Sequence, residues 1–569
     1  MYINAKAKQA NTYDAIVVGS GISGGWAAKE LTEKGLKTLV LERGRNVEHV
    51  KDYPTATKAP WEFPHRDRVS PEEIKEHYPK QSRTGYTIRE SSKHWFVKDS
   101  EHPYQEDKRF DWMRGYHVGG RSIMWGRHSY RWSDLDFEAN ARDGYGVDWP
   151  IRYKDIAPWY DYVESFAGIQ GQKEGLSQLP DGNFLPPIPM NCLEDHFKNK
   201  VAEKLDGRIV TIGRTANLTQ DHNGRTKCQF RNKCIRGCPY GAYFSSNSST
   251  LPAAAATGNL TVRPFSIASS IIYDKESKKA TGVRVIDQET MEELEFHAKV
   301  IFLCASAIPS TSILLNSKSD AFPEGMGNTS GELGHNLMDH HFRVGASGVY
   351  EGFSDKYYYG RRPTGFYIPR FRNLDKNTEQ KDYLRGYGYQ GGASRENWTS
   401  SVRELNFGAG MKEGIVTPGP WSLGMTAFGE CLPYHENKMT LDYDNLDKWG
   451  QPTVRFDADF KENEKAMRKD MEVAAAEMLE AAGLKNINTY DAGSWPGLGI
   501  HEMGTARMGK DPKTSVLNKN NQLHEVPNVY VTDGACMTSA SCVNPSLTYM
   551  ALTARAAEHA VNELKKMNI

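Results

Sequence analysis

A glycine-rich turn near the start of the chain has the spacing of a dinucleotide-binding site. Residues 14–41 have the pattern of strand, turn, helix and strand, and the turn carries Gly19, Gly21 and Gly24. In a G-x-G-x-x-G turn the glycines allow a tight bend, close approach to a pyrophosphate, and packing of the helix on the strand. The helix N-terminus attracts phosphate, and Glu42, after the second strand, can accept hydrogen bonds from ribose hydroxyls. The unit predicts dinucleotide binding; the alternative is a purely structural turn.

Three closely spaced cysteines suggest a second kind of chemistry. Cys228, Cys234 and Cys238 lie in one loop, and a proline follows the last of them. Thiolates at this spacing suit iron–sulfur ligation, whereas a structural zinc site uses four ligands. Either Cys192 or Cys304 is available as a remote fourth ligand. The alternative is that the cysteines are reduced and structural.

A second glycine-containing stretch also has features of a ligand site. In residues 114–126, Gly119 and Gly120 are adjacent and lie between apolar and aromatic residues. Glycines in this setting favour a backbone that runs close against a ligand. An ordinary glycine turn is the alternative.

Two stretches near the end of the chain complete the pattern. Residues 501–509 have the sequence HEMGTARMG, and Asp533-Gly534 precedes Asn544-Pro545. Together with the N-terminal glycine turn, these stretches resemble the glucose–methanol–choline oxidoreductases, and the resemblance covers the chain from that turn to the last helix. This family binds FAD on a Rossmann-like domain and holds its substrate under the sheet of a second domain.

The resemblance assigns roles to individual residues. His501 matches the catalytic histidine of the family, and Asn544 matches its second active-site residue, a histidine or an asparagine. Histidine suits the removal of a hydroxyl proton because its pKa lies near neutral pH, whereas asparagine can only hold the hydroxyl by hydrogen bonds. Cofactor contacts are predicted at Gly19, Gly21, Gly24, Glu42, Arg43, Gly119, Gly120, Ser122, Met124, Val262, Asp533, Gly534 and Pro545.

Residues 118–153 resemble two particular groups of enzymes within the family. They are similar to the large subunits of bacterial glucoside 3-dehydrogenases, which oxidise the C3 hydroxyl of glucosides and disaccharides to 3-keto sugars. They also resemble the pyranose oxidases, which attach FAD covalently through a histidine two residues after the serine of V-G-G-x-S. Here the serine is Ser122 and the residue two positions later is Met124. A thioether cannot form that bond, so we expect non-covalent FAD.

The resemblance also implies a path for the electrons. Hydride passes to flavin N5, and electrons leave through an iron–sulfur cluster, of the three-iron type found in some sugar dehydrogenases of the family, to a cytochrome-type acceptor. A small partner subunit that carries an export signal is implied as well. Residues 1–12 lack the apolar core of a signal peptide. We therefore expect a periplasmic location by co-export with the partner, and a cytoplasmic one otherwise.

Other functions fit the same residues. A pyranose-oxidase-like enzyme would pass its electrons to O2, a lyase of the family would keep FAD as a structural group, and a non-catalytic flavoprotein would use its acceptor face to bind a partner. For a sugar substrate, polar contacts are predicted at Gln390 and Glu430, although each is equally suited to a surface or strand-end position. His340 and His341 follow a turn and are interpreted as structural residues, not zinc ligands.

Composition and hydropathy limit the classes of protein and the fold that can position these residues. The 569 residues include 71 basic and 71 acidic ones, so the net charge is zero, which argues against a nucleic-acid partner or a polybasic membrane anchor. The longest apolar stretch, residues 300–308, is about half as long as a membrane span requires. Aromatic and β-branched runs predict a mainly antiparallel sheet, and they lie at 357–359, 365–368, 383–390 and 439–443.

We therefore predict an α/β fold in which a Rossmann-like FAD-binding domain carries a substrate-binding domain with a mainly antiparallel sheet flanked by helices. The FAD-binding domain is predicted to span residues 11–345, including a lid and the cysteine loop. The substrate-binding domain is predicted at 346–494. A returning segment, 495–569, carries the catalytic pair.

Overall fold

The computed structural model describes residues 11–357, 363–395 and 407–569. Its strands are β1 (Thr12–Val18), β2 (Thr38–Leu41), β3 (Gln105–Glu106), β4 (Thr211–Ile212), β5 (Leu260–Arg263), β6 (Ser266–Asp274), β7 (Lys279–Asp287), β8 (Glu293–Leu303), β9 (His341–Tyr350), β10 (Phe366–Ile368), β11 (Tyr387–Arg395), β12 (Trp421–Gly429), β13 (Lys438–Leu446), β14 (Pro452–Asp457), β15 (Lys485–Asp491) and β16 (Val529–Val531). Its helices are α1 (Ile22–Glu33), α2 (Pro71–His77), α3 (Asp134–Phe137), α4 (Ala139–Asp143), α5 (Tyr153–Ala167), α6 (Cys192–Lys204), α7 (Thr250–Ala256), α8 (Ala307–Asn316), α9 (Gly408–Val416), α10 (Glu462–Ala481) and α11 (Ser546–Lys565).

The first sheet has a parallel centre. Strands β5, β2, β1 and β8 lie side by side in this order, and β16 pairs in parallel with the end of β8. Antiparallel β7 and β6 extend the sheet. The central strands are continuous apolar runs because both of their faces are buried. Since parallel strands end at the same edge, the residues after β1, β2, β8 and β16 meet there.

The second sheet is antiparallel, with strands in the order β15-β9-β12-β11-β10-β4. Helices α6 and α10 pack against one of its faces, where Phe197 and Met471 join Tyr389 in an apolar core. Side chains alternate along a strand. Gln390, the next residue on β11, therefore points to the opposite face.

The predicted fold class is confirmed, with two departures in detail. The run at 439–443 belongs to a third small sheet, in which β14 pairs with β13 and with β3, because its apolar face packs on Phe110 and Trp112. The antiparallel sheet also uses chain from outside the predicted segment 346–494, since β4 forms its edge and α6 covers it. Of the run 357–359, the last two residues lie outside the described residues.

Residues 46–105 contain helix α2 and short 3-10 turns between irregular stretches. Part of this segment, including Tyr86 and Thr87, forms a wall of the cavity described below. Over the described ranges, none of the helices has the length and apolar character needed to cross a membrane.

Candidate active site

A cavity of about 850 Å³ opens at the carboxyl edge of the parallel sheet and reaches under the antiparallel sheet. A volume of this size is at the upper end of the range for small-molecule sites. Predicted site residues from every part of the chain line it, namely Gly19, Gly21, Glu42, Arg43, Gly120, Ser122, Met124, Cys234, Gln390, His501, Asp533, Gly534 and Asn544.

The glycine turn has the geometry of a phosphate cradle. Gly19 has φ +95°, and a Cβ added at Gly24 would lie 1.9 Å from the Gly19 carbonyl oxygen, so the turn and helix α1 touch through bare backbone. A Cβ at Gly21 would meet no protein atom within 4 Å. Gly21 is also the N-cap of α1 and offers no side-chain cap to the helix N–H groups. The space and the free N–H groups together suit a pyrophosphate.

Glu42 is tied to this turn by a network of hydrogen bonds. One carboxylate oxygen accepts from the backbone N–H and the hydroxyl of Ser20, and the other accepts from the N–H of Gly44 at 2.9 Å. The Ser20 hydroxyl in turn accepts from the N–H of Gly119 at 2.9 Å. Burial raises the pKa of Glu42, and these donors oppose that shift. A carboxylate has about four acceptor sites, so Glu42 can still accept from ribose hydroxyls.

The second glycine stretch forms another part of the wall. Gly119 has φ +91°, and a Cβ there would lie 1.7 Å from the Asn247 side-chain oxygen. The chain then makes a 3-10 turn over Gly120–Ile123, and the Ser122 hydroxyl accepts from the N–H of Ser246 at 3.0 Å. Met124 also lines the cavity.

His501 is held by Asp339 and His340, the two residues directly before β9. Its backbone N–H donates to Asp339 at 3.0 Å, and its Nδ1 lies 2.9 Å from Nδ1 of His340. Burial lowers the pKa of His501 well below its ordinary value, and the electrostatic influence of His340, Arg121 and His128 acts in the same direction. His501 is therefore a neutral imidazole at the cavity wall, and Nε2 is its remaining ring nitrogen.

Asn544 has a partner from the antiparallel sheet. Nε2 of Gln390, on β11, donates to Oδ1 of Asn544 at 2.7 Å. This bond occupies the amide oxygen of Asn544 and leaves its NH2 group as a donor. Sequence reasoning named both residues for the substrate region, and the structure brings them together.

Arg121, Asp339 and His340 belong to this site but were not predicted for it. Arg121 forms a two-pronged ion pair with Glu502, with N–O distances of 3.1 and 2.8 Å, and donates to the Ser306 hydroxyl. Burial and the Glu502 charge raise the pKa of Asp339 to about 8. The available signal was the pair Asp339-His340 after an apolar turn, and it was interpreted as structural.

Of the residues predicted to contact the cofactor or the substrate, five lie away from the cavity wall. Gly24 packs inside the glycine turn and Gly119 lies against Asn247. Val262 is buried in β5, where it pairs with Val40. Pro545 is the N-cap of α11.

The fifth of these residues, Glu430, is predicted to contact the substrate and does not line the cavity. Its carboxylate is completely buried and accepts from the Arg385 guanidinium at 2.8 Å, and Arg385 also pairs with Asp143. The physical reason is the position of Glu430 just after β12, where its side chain turns into the protein.

The cysteine loop lies beside the same cavity. Cys234 lines the wall, and the loop cysteines are half-buried free thiols. Burial raises the pKa of the Cys228 thiol, and Cys234 and Cys238 are close enough to raise it further. Within the described ranges, however, no group of three His, Cys, Asp or Glu side chains has the geometry to hold a metal ion. Cys304 follows β8 next to Thr532, and Cys192 begins α6.

The cavity wall leaves polar groups ready for a ligand. Nε of Arg43 and the hydroxyl of Tyr549 are buried and have no hydrogen-bond partner among the described residues, and both residues line the cavity. Such atoms are costly to bury unless a ligand satisfies them. With the space at Gly21 and the acceptor at Glu42, they fit a ligand that carries ribose, phosphate and a polar ring. FAD has these groups.

The comparison with known proteins identifies the class. The description "GMC oxidoreductase" matches residues 13–342 and 433–553. The chain therefore belongs to the GMC oxidoreductase family, which implies FAD as its cofactor and oxidation of CH–OH groups as its reaction.

Individual relatives cover almost the whole chain. It is 29% identical to the 2-methyl-1,2-propanediol dehydrogenase of Mycolicibacterium austroafricanum, over 97% of this chain and 95% of the relative. It is 24% identical to the fructose dehydrogenase large subunit of Gluconobacter japonicus, over 97% and 98%. A solved structure, pyridoxine 4-oxidase from Mesorbium loti, has the same fold with a TM-score of 0.56, 15% identity, and coverage of 96% and 98%.

Proposed function

We propose that the protein is a dehydrogenase that oxidises the C3 hydroxyl of glucosides and disaccharides to 3-keto sugars. The proposal rests on His501 and Asn544, which both line the cavity and carry complementary hydrogen-bonding groups. Nε2 of the neutral His501 is an acceptor, and the amide group of Asn544 is a donor. A single hydroxyl can donate to the first and accept from the second.

This pair defines the chemistry that the chain performs. His501 removes the hydroxyl proton as a general base, and the Asn544 amide stabilises the oxygen while it gains negative charge. Bound FAD supplies the acceptor for the hydride, so that the O–H and C–H bonds break as the C=O bond forms. Asp339 fixes the His501 backbone, and Gln390 fixes Asn544.

The substrate class is supported by the polar wall and by the relatives. Gln390 and Asn544 present fixed amides from the antiparallel sheet and from the end of the chain. One relative is, by its name, a dehydrogenase of the sugar fructose. The second candidate is a small vicinal diol, because another relative is by its name a propanediol dehydrogenase with higher identity.

The cysteine loop is the second part of the proposal. We propose that Cys228, Cys234 and Cys238 hold a three-iron cluster that serves an external, cytochrome-type acceptor. Cys234 lies on the cavity wall, and the loop cysteines are partly exposed, which supports a path from a flavin to the surface. A separate small subunit that provides export to the periplasm is also proposed, since one relative is by its name the large subunit of its enzyme.

The sugar assignment is tested by anaerobic optical titration of the purified protein. Methyl glucoside should bleach the flavin and yield the 3-keto glucoside, whereas methyl 3-deoxyglucoside, which lacks only the C3 hydroxyl, should leave the flavin oxidised. His501→Gln should slow bleaching by about 10²–10⁴-fold, the usual effect of losing a general base. Equal bleaching by both sugars would contradict C3 oxidation. Bleaching by 1,2-propanediol alone would favour the diol.

The cluster is tested by iron and sulfide analysis of the same protein. Bound iron that is lost in Cys228→Ser, Cys234→Ser and Cys238→Ser, but kept in the control Cys192→Ser, supports ligation by the three loop cysteines. Flavin bleaching in a protein without iron would refute the cluster. Peroxide release in air at the full turnover rate would then identify an oxidase.

A further inference from the structure

The contact between His501 and His340 has a defined direction. His340 is completely buried, and its Nε2 lies 3.2 Å from the carbonyl oxygen of Ala540. A carbonyl oxygen can only accept, so this nitrogen of His340 carries a proton. Burial lowers the pKa of His340 to about 4, and a neutral imidazole has one N–H. Its Nδ1 is therefore an acceptor, and the proton shared with His501 belongs to His501.

We propose that His340 is a positioning residue that fixes His501 in the tautomer protonated at Nδ1, so that Nε2 presents a lone pair to the substrate hydroxyl. This role rests on the proposed function, in which His501 is the base, and it explains what holds His501 in the tautomer that can accept a proton. In the other tautomer, two Nδ1 lone pairs would face each other at 2.9 Å without a proton between them. The Ala540 carbonyl thus fixes the tautomer of His340, and His340 in turn fixes the tautomer of His501.

The same contact becomes a charge-assisted hydrogen bond after proton transfer. When His501 takes the hydroxyl proton, its Nδ1–H becomes a charged donor to His340, and charge-assisted hydrogen bonds are about twice as strong as neutral ones. Burial and the electrostatic influence of His340, Arg121 and His128 disfavour the His501 cation, and Asp339 accepts from the His501 backbone. The ring of His340 accepts the hydrogen bond that Nδ1–H of His501 donates.

Two variants separate positioning from packing. Leucine at this position fills space but offers neither donor nor acceptor, whereas glutamine offers a carbonyl oxygen to His501 and an N–H group to Ala540. His340→Leu should reduce the rate constant of flavin reduction by an alcohol at least about 10²-fold, with little change in KM, because a wrong tautomer disables the base. His340→Gln should stay within about 10-fold of the wild type. Flavin content and thermal unfolding show whether each variant folds.

The tautomer itself is read by nitrogen NMR of ¹⁵N-histidine protein, with the His501 signals assigned from His501→Gln. The proposal expects the proton at Nδ1 in wild type and His340→Gln, and a shift towards Nε2 in His340→Leu. It is overturned if His340→Leu keeps the wild-type tautomer, or keeps the wild-type rate constant and its pH profile. Because this spectrum is recorded without substrate, the result stands even if the sugar assignment fails.

Discussion

At Glu430 the surroundings of a charged side chain decide its role. The residue follows β12, and the type and position of such a residue suit a sugar contact. In the structure its carboxylate is completely buried against Arg385, which is also paired with Asp143. A charge so far from water must be neutralised by a partner, and Arg385 is the partner that neutralises Glu430.

Removing Arg385, the partner of Glu430, should therefore affect stability and not substrate binding. Arg385→Met leaves Glu430 and Asp143 without their shared cation, and we expect a loss of about 3–5 kcal/mol in the free energy of unfolding. Urea denaturation measures this loss, and the KM for the sugar should not change. The matched control is Gln390→Leu, which removes the partner of Asn544 and should impair turnover at nearly constant stability. An Arg385→Met protein with a raised KM and unchanged stability would show that Glu430 acts on the substrate.

At the scale of the element, the unit of β1, turn and α1 shows what local sequence can predict. Its parts are adjacent in the chain, so the glycine pattern predicts both the strand–turn–helix structure and the position of the phosphate cradle. Gly24 and Gly21 nevertheless have opposite surroundings. A Cβ at Gly24 would overlap the Gly19 carbonyl, whereas a Cβ at Gly21 would enter the open cavity.

Alanine at the two positions should give opposite results. Gly24→Ala forces the helix away from the strand and should destabilise the flavin-free protein by about 1–3 kcal/mol. Gly21 has φ −68°, which alanine tolerates, so Gly21→Ala should keep that stability and weaken FAD binding instead. Thermal unfolding of flavin-free protein and FAD titration separate the two effects. If Gly21→Ala bound FAD as tightly as the wild type, the pyrophosphate would not lie at this turn.

At the scale of the whole molecule, the part of the cavity wall that carries His501 and Asn544 is built from segments that are far apart in sequence. His501 meets His340, and Asn544 meets Gln390, across more than 150 residues. A single sequence shows the motif around His501 but not which distant side chain reaches its ring. For this reason the sequence predicts a structural role for His340 and a substrate contact for Glu430, whereas the structure places His340 against His501 and Glu430 against Arg385. The family motifs predicted the fold and cofactor class because they are contiguous.

Burial of neutral histidines also makes the whole fold sensitive to acid. His102 is buried and stacks on Trp449, with ring centres 5.1 Å apart. Burial and the nearby Arg43 and Arg114 lower its pKa to about 2. An unfolded chain binds this proton near pH 6.5, so the unfolded state gains protons first as the pH falls. The stability that His102 contributes is complete above pH 6.5 and is lost progressively below it.

His102→Phe tests this linkage, because it keeps the stacked ring and removes the titration. From pH 6 down to pH 4, the free energy of unfolding of the wild type should fall relative to that of the variant by about 1.4 kcal/mol per pH unit, the value for one proton. Above pH 7 the difference should be constant. The comparison cancels Asp339, whose raised pKa acts in the opposite direction in both proteins. Parallel curves over the whole range would mean that the pKa of His102 is the same in the folded and unfolded protein.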